Sequence, residues 1–236
     1  MFQLIVNADD FGYSKGVNLG ILESHLNGIV TSATTMTNMP GFDHAIKLAK
    51  KHRTLRVGIH LVLTCGKPVS SNVSTLVDEK GDFLSLSYVK EHRSFSLDEV
   101  KREWLAQIQR FLATGLIPSH FDSHHHVHTL PELLPVIQEL SALYKLPVRA
   151  STHGPLPDVI PYSNVFVDTF YASGLSEHYF DTLANRPDLQ GKIVEIMTHP
   201  AYLDGEILRG SSYTTDRTKE VELLTNVTLP PAISLL

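Results

Sequence analysis

The sequence predicts an α/β protein built on a largely parallel sheet, open or closed into a barrel. Three observations carry that prediction. Apolar, β-branched runs alternate with helix-like segments almost from end to end. Most connections between them are short, as βαβ units require. Four of the predicted strands end in carboxylates or imidazoles, at the edge where parallel α/β folds build their sites. A chain of 236 residues fits one domain spanning 1–236.

The elements follow in order. "FQLIVNA" (2–8) reads as a buried strand, broken by the Asp, Gly and Ser of "DDFGYSKG". "VNLGILESHLNG" (17–28) spaces its apolar residues like an amphipathic helix and closes on Asn27-Gly28. "IVTSATTMTN" (29–38) is strand-like, "GFDHAIKLAKKH" (41–52) helical, and "LRVGIHLVLT" (55–64) a third strand. The irregular stretch 65–92 is long enough to read as a lid or insertion. Next comes the clearest helix, 96–115, with Ser96 as cap, Glu99 completing a capping box and Gly115 as stop. A short polar-ended strand (119–125) and a proline-led helix (129–145) precede three further strand candidates: 147–151, 164–170 and 192–199. "SEHYFDTLANR" supplies a helix before the last of these. There is no internal repeat and no low-complexity segment.

Composition narrows the function classes. Hydrophobic content of 42% is ordinary for a soluble core, and no apolar run approaches the ~18 residues of a membrane helix. The net charge of −5, without any basic run, argues against a nucleic-acid partner. One cysteine, Cys65, excludes an intramolecular disulfide framework. With no signal-peptide pattern at the N-terminus, the expected location is the cytoplasm.

The polar residues gather at strand ends: Asn7, Asp9 and Asp10 after the first, His60 in the third, Asp122 and His124, His125, His126 and His128 in "FDSHHHVH", and His199 after "KIVEIMT". Each has a plain structural explanation. An Asp pair after a strand is most often turn chemistry, and a lone His in an apolar run is usually a satisfied core residue. The histidine tract is harder to explain that way, because such tracts commonly bind metals. In a strand, 124, 126 and 128 would share a face; in a helical turn, 124 and 128 would. Convergence of four strand ends is the stronger signal.

These residues resemble a known family. "LIVNADDFGYSKGVNLGI", "GIVTSATTMTNMP", "VGIHLVLTCGKPV", "PSHFDSHHHVHTLPELLPVI", "PVRAS" and "EIMTHPAYLD" are similar to the YdjC-like carbohydrate deacetylases, including those acting on chitooligosaccharides. The resemblance implies a (β/α) barrel, distorted or incompletely closed, related to the polysaccharide deacetylases. The family's usual final strand has no clear counterpart in the terminal "LPPAISLL". The resemblance also implies a homodimer and one divalent metal ion. Asp10, His60 and His124 would be its ligands, a set that suits zinc by softness, although the family is often described with magnesium. Asp9 would be the base acting on metal-bound water and His199 the acid for the leaving amine. His126, His128, Arg149 and Asp122 are candidates for the sugar site, with Asp122 also a candidate hydrogen-bond acceptor for one of the histidines. The substrate would be an N-acetylated oligosaccharide such as the GlcNAc dimer. Competing readings are a metal-dependent isomerase or phosphoesterase on the same barrel, a non-catalytic sugar- or metal-binding protein, and, weakest, an enzyme with Cys65 as nucleophile.

Overall fold

A computed structural model describes all residues, Met1–Leu236. The chain opens in alternation with β1 (Phe2–Phe11), α1 (Lys15–Leu26), β2 (Ser32–Thr35), α2 (Phe42–Lys51) and β3 (Arg56–Leu61). A short α3 (Leu86–His92) and a long α4 (Leu97–Leu112) lead to β4 (Phe121–Ser123), and α5 (Leu134–Tyr144) leads to β5 (Val165–Val167). Then come α6 (Tyr179–Ala184), β6 (Ile193–Thr198), α7 (Gly205–Gly210), α8 (Asp216–Asn226) and β7 (Ile233–Leu235).

All pairings in the sheet are parallel, in the order β4-β3-β2-β1-β6-β5, with β7 added to β1. The central β1 is buried along its length except at Gln3, the pattern of a strand covered on both faces. Between the outer strands β4 and β5 the ladder is irregular. Residues 147–151, predicted as a strand, make only isolated bridges: Val148 to Phe121 on one side and to Pro161 on the other, and Ser151 to Gly154 in a local turn. The chain after Pro161 then enters β5, so the sheet curls into a distorted barrel with a weak seam. Pro147 and Pro161 flank this seam and cannot donate to a ladder, which keeps it short. The C-terminal "ISL" forms a strand, β7, that pairs with Phe2–Leu4 of β1.

Helix α4 carries an apolar stripe, Val100, Trp104, Ile108 and Phe111, onto the core. Ser96 caps it as predicted, accepting from the Glu99 N–H at 3.4 Å, but the reciprocal half of the capping box is absent. The Glu99 carboxylate instead accepts from the backbone and hydroxyl of Thr75, each at 2.7 Å. Buried Glu103 on the same helix accepts from the N–H groups of Val69 and Ser70. These carboxylates pin the 65–92 excursion to the barrel. That excursion also contains α3, missed in the sequence reading, which places Leu86 and Lys90 on the wall of the site.

Candidate functional site

A cavity of about 580 Å³ opens at the C-terminal ends of the strands. Asp9, Asp10, His60, His124, His125, His126 and His199 all line it. Consecutive residues of a regular strand face opposite ways, so Asp9 and Asp10 need a local device to share one wall. The β1–β2 register supplies it, shifting by one residue between Ala8 and Phe11. Asp10 there has φ of +67°, a left-handed conformation that Asp tolerates better than most residues. This bulge turns both carboxylates into the mouth.

The histidine tract is neither strand nor helix. Residues His124–Thr129 form a kinked 3₁₀ turn in which His125 and His126 both lie in the left-handed region, at φ of 56° and 55°. For L-residues this costs about 1–2 kcal/mol each. It swings His124, His125 and His126 toward the cavity and sends His128 the other way. His128 is wholly buried; its Nδ1 lies 2.6 Å from Ser123 Oγ, and its backbone N–H donates to the same oxygen at 2.9 Å. Neither alternative read from the sequence places His128 there, and it does not touch the cavity.

Asp10, His60 and His124 bring one donor atom each to within 4.8 Å of one another. Asp10 Oδ1 lies 3.0 Å from His124 Nδ1 and 3.5 Å from His60 Nε2, while Arg217 Nη2 donates to Asp10 Oδ2 at 2.7 Å. Asp122 accepts from His60 Nδ1 at 2.7 Å, which orients the ring and turns Nε2 toward Asp10. A carboxylate behind an imidazole in this way is the usual support of a metal-binding histidine.

Asp9 has different partners. Arg149 Nη1 and Nη2 donate to its two oxygens at 2.7 and 2.6 Å, and Asn7 adds a third donor at 2.9 Å. Arg149 also contacts Asp122 Oδ2 at 2.9 Å and donates through Nε to Glu195 at 2.7 Å. Arg149 and Asp122 have no exposed surface, so they stand behind the cavity wall and not on it, out of reach of a sugar. A second acidic cluster, Asp9, His60 and Asp122, also has donor spacing suited to a cation, but the guanidinium of Arg149 already occupies that role.

Charge accounts for the titration of these groups. Burial lifts the Asp9 carboxyl, Arg149 pulls it down further, and it settles below its ordinary value. Asp10, lifted by burial, is held well below the carboxylate range by Arg217 and His124. Burial would lower His60, yet Asp122, Asp10 and Asp9 override it and raise the ring to about 10. Three acids, Asp9, Asp10 and Asp122, face two guanidiniums, Arg149 and Arg217. Glu195 shares Arg149 with two of these acids, so negative charge is in excess, and this excess is what favours the protonated form of His60. A divalent cation between Asp10, His60 and His124 would meet the same charge, so the donor set and its electrostatics fit a metal.

His199 presents its ring edge-on beside the stacked rings of Tyr171 and Tyr213, with centroids 5.5 and 5.8 Å away. Its Nδ1 is buried without a partner, and burial lowers the ring to about 4. Burial does the same to His125 and His126, each to about 3. Cys65 lines the cavity too, but burial pushes its thiol up to about 12, which removes the thiolate that a nucleophile needs.

Sequence reasoning missed Tyr213, Arg217, Glu220 and Glu195. Tyr213 Oη donates to Glu220 Oε1 at 2.6 Å, the backbone N–H of His199 donates to Glu220 Oε2, and Arg217 Nε donates to the Tyr213 carbonyl at 2.8 Å. A signal existed: the buried stripe of α8 is Arg217, Glu220, Val221 and Leu224, so a helical face at core spacing carries two charges.

Comparison with known proteins places this geometry. The profile of the YdjC-like protein family matches residues 3–234. A carbohydrate deacetylase of Halalkalibacterium halodurans is 46% identical over 99% of this chain and 100% of its own. A chitooligosaccharide deacetylase of Yersinia enterocolitica is 40% identical over 99% of this chain and 94% of its own. The crystal structure of a protein of Enterococcus faecalis V583, ascribed to cellobiose-phosphate cleavage, superposes with a TM-score of 0.88 at 36% identity, covering 95% of this chain and 91% of that one. The fold is shared with a family 4 carbohydrate esterase of Streptomyces lividans in complex with acetate, at a TM-score of 0.52 and 10% identity over 95% and 86% of the two chains. With a profile match from the first strand to the last and close relatives along its whole length, the chain belongs to the YdjC-like protein family.

Proposed function

We propose that this protein hydrolyses the acetamide of N-acetylated sugars, with short chitooligosaccharides such as the GlcNAc dimer as substrates. It is an enzyme of the carbohydrate deacetylase class, a hydrolase of linear amides, like the relatives that align along its length. The observation that carries the detailed reading is the division of labour between Asp9 and Asp10. They are sequence neighbours on one cavity wall and each meets a guanidinium, but Asp10 turns one oxygen to two imidazoles while both oxygens of Asp9 are held by Arg149.

A divalent ion, magnesium or zinc, held by Asp10, His60 and His124, would polarise the acetyl carbonyl and acidify water. Asp9, kept anionic by Arg149, takes a proton from the attacking water. His199 faces the cavity from a different strand and delivers a proton to the departing amine. Because burial keeps its ring neutral near pH 7, His199 acts as an acid only after it receives the proton that Asp9 has taken from the water, which it then passes to the amine nitrogen as the C–N bond breaks. Water thus supplies the hydroxyl of acetate and a proton for the amine, which balances the reaction. Asp122 and Arg149 act by positioning His60 and Asp9, and His128 by anchoring the turn that presents His124. His126 remains the wall imidazole available to a sugar hydroxyl.

In this reading residues 1–236 act as one catalytic domain, supported by a continuous core that runs from Phe2 to Ile233. No helix is long and apolar enough to cross a membrane. The cytoplasmic location rests on cysteine usage and the homodimer on the family resemblance alone. The test is acetate release from di-N-acetylchitobiose by metal-loaded protein and by the same protein after chelation. The proposal expects acetate that chelation abolishes. No acetate from this dimer or from other N-acetylated sugars would contradict it.

A further inference from the structure

Beside the proton-handling residues, the cavity has an aromatic wall that the reaction does not use. Tyr171 and Tyr213 are stacked with ring centroids 4.1 Å apart and planes 24° from parallel. Tyr213 is almost buried, at 7% exposure, whereas Tyr171 keeps 39% of its surface and lines the cavity. Buried polar contacts fix the stack in place. The Tyr213 hydroxyl donates to Glu220 at 2.6 Å and accepts from the Ala172 N–H at 3.2 Å. Ala172 adopts a left-handed φ of 48°, and a side chain on Gly174 would meet the Thr169 carbonyl at 1.9 Å. The turn that carries Tyr171 is therefore tightly specified. Asp168, three residues earlier, lines the same wall and offers a carboxylate to hydroxyl donors.

A pyranose ring presents an apolar face of C–H groups and a polar rim of hydroxyls. An exposed, rigid aromatic face with a carboxylate at its margin complements both, at little entropic cost for ordering. The wall also lies next to His199, whose ring centroid is 5.5 Å from that of Tyr171. We propose that Tyr171 is the platform on which the sugar ring bearing the reacting acetamide rests, with Tyr213 and Glu220 as the residues that position it. This rests on the deacetylase reading above and adds a substrate-binding residue to it.

The test compares wild type, Tyr171→Ala and Tyr171→Phe in acetate release from di-N-acetylchitobiose. It adds equilibrium binding of the same dimer to the Asp9→Asn protein with and without Tyr171→Ala. A platform predicts that Tyr171→Ala raises KM about tenfold with kcat changed less than about threefold. Tyr171→Phe, which keeps the ring face, should bring KM back to within about threefold of wild type, and dimer binding to Asp9→Asn should weaken about tenfold when Tyr171→Ala is added. Acetate release with unchanged KM and unchanged binding in Tyr171→Ala would overturn the platform and leave the deacetylase reading standing. Absence of acetate release by the wild type would overturn that reading, and the platform with it.

Discussion

Both oxygens of Asp9 are held by the Arg149 guanidinium, at 2.7 and 2.6 Å, across 140 residues of sequence. Arg149 fixes the direction of the Asp9 carboxylate and also its charge. It joins Asp9 to Asp122 and Glu195 in one enclosed network, while a second guanidinium, Arg217, holds Asp10.

Arg149→Lys should be costly although it conserves charge. A lysine ammonium cannot make the two-pronged contact or reach all three carboxylates. Breaking a buried pair of this kind costs about 3–5 kcal/mol. Urea unfolding of the variant is expected to show a loss in that range, together with a fall in acetate release.

Asp122→Ala should act at a distance on the cation site. His60 loses the acceptor at its Nδ1 and with it the fixed orientation of its ring. Removing such a support typically lowers metal affinity by about 10–100-fold. Competition with a chromophoric chelator checks this, and the Asp9→Asn protein serves as the comparison that keeps the His60–Asp122 hydrogen bond.

Glu220 predicts a pH dependence of stability. Burial raises its carboxyl to about 8, only partly offset by Tyr213 and the His199 N–H. The folded state therefore binds the proton more tightly than the unfolded state, where the value is near 4.5. This contribution to stability is fully present below about pH 4.5 and is lost as pH rises through 8. Glu220→Gln cannot ionise, so its melting temperature relative to wild type should climb between pH 5 and pH 8. A constant difference across that range would contradict the assignment.

Ser123→Ala tests the turn that presents the histidines. Ser123 Oγ is the shared partner of the His128 backbone and ring. Leaving those buried groups without it costs about 1–3 kcal/mol. Thermal unfolding should report the loss, and metal affinity should fall with it, because His124 begins the same turn.

Much of the site was legible because its residues follow strand ends in a parallel fold. Asp9, Asp10, His60, His124 and His199 are found around one cavity for that reason. Other features depend on information that local pattern does not hold. The bulge that lets Asp9 and Asp10 face together shows up only in the pairing of β1 with β2. The two left-handed histidines are unfavourable choices locally, so no propensity argument selects them. Arg149 reads as the end of a strand, and only the barrel brings Asp9, Asp122 and Glu195 around it. Tyr213, Arg217 and Glu220 sit far along the chain; the two charges share the spacing of the apolar stripe of α8, but charges on a helix usually mark a solvated face, and Tyr213 precedes the helix with no local signal. The terminal strand β7 is three residues long, too short for periodicity to distinguish from coil.

The separate roles of Asp9 and Asp10 are tested most directly by measuring bound divalent metal and acetate release on the same samples of wild type, Asp9→Asn and Asp10→Asn. The account predicts that Asp9→Asn keeps the wild-type metal content and loses about 10²–10⁴-fold in acetate release, as for removal of a general base. Asp10→Asn should lose the metal itself, and activity with it. Full acetate release by Asp9→Asn, or a metal lost from Asp9→Asn and retained by Asp10→Asn, would contradict it.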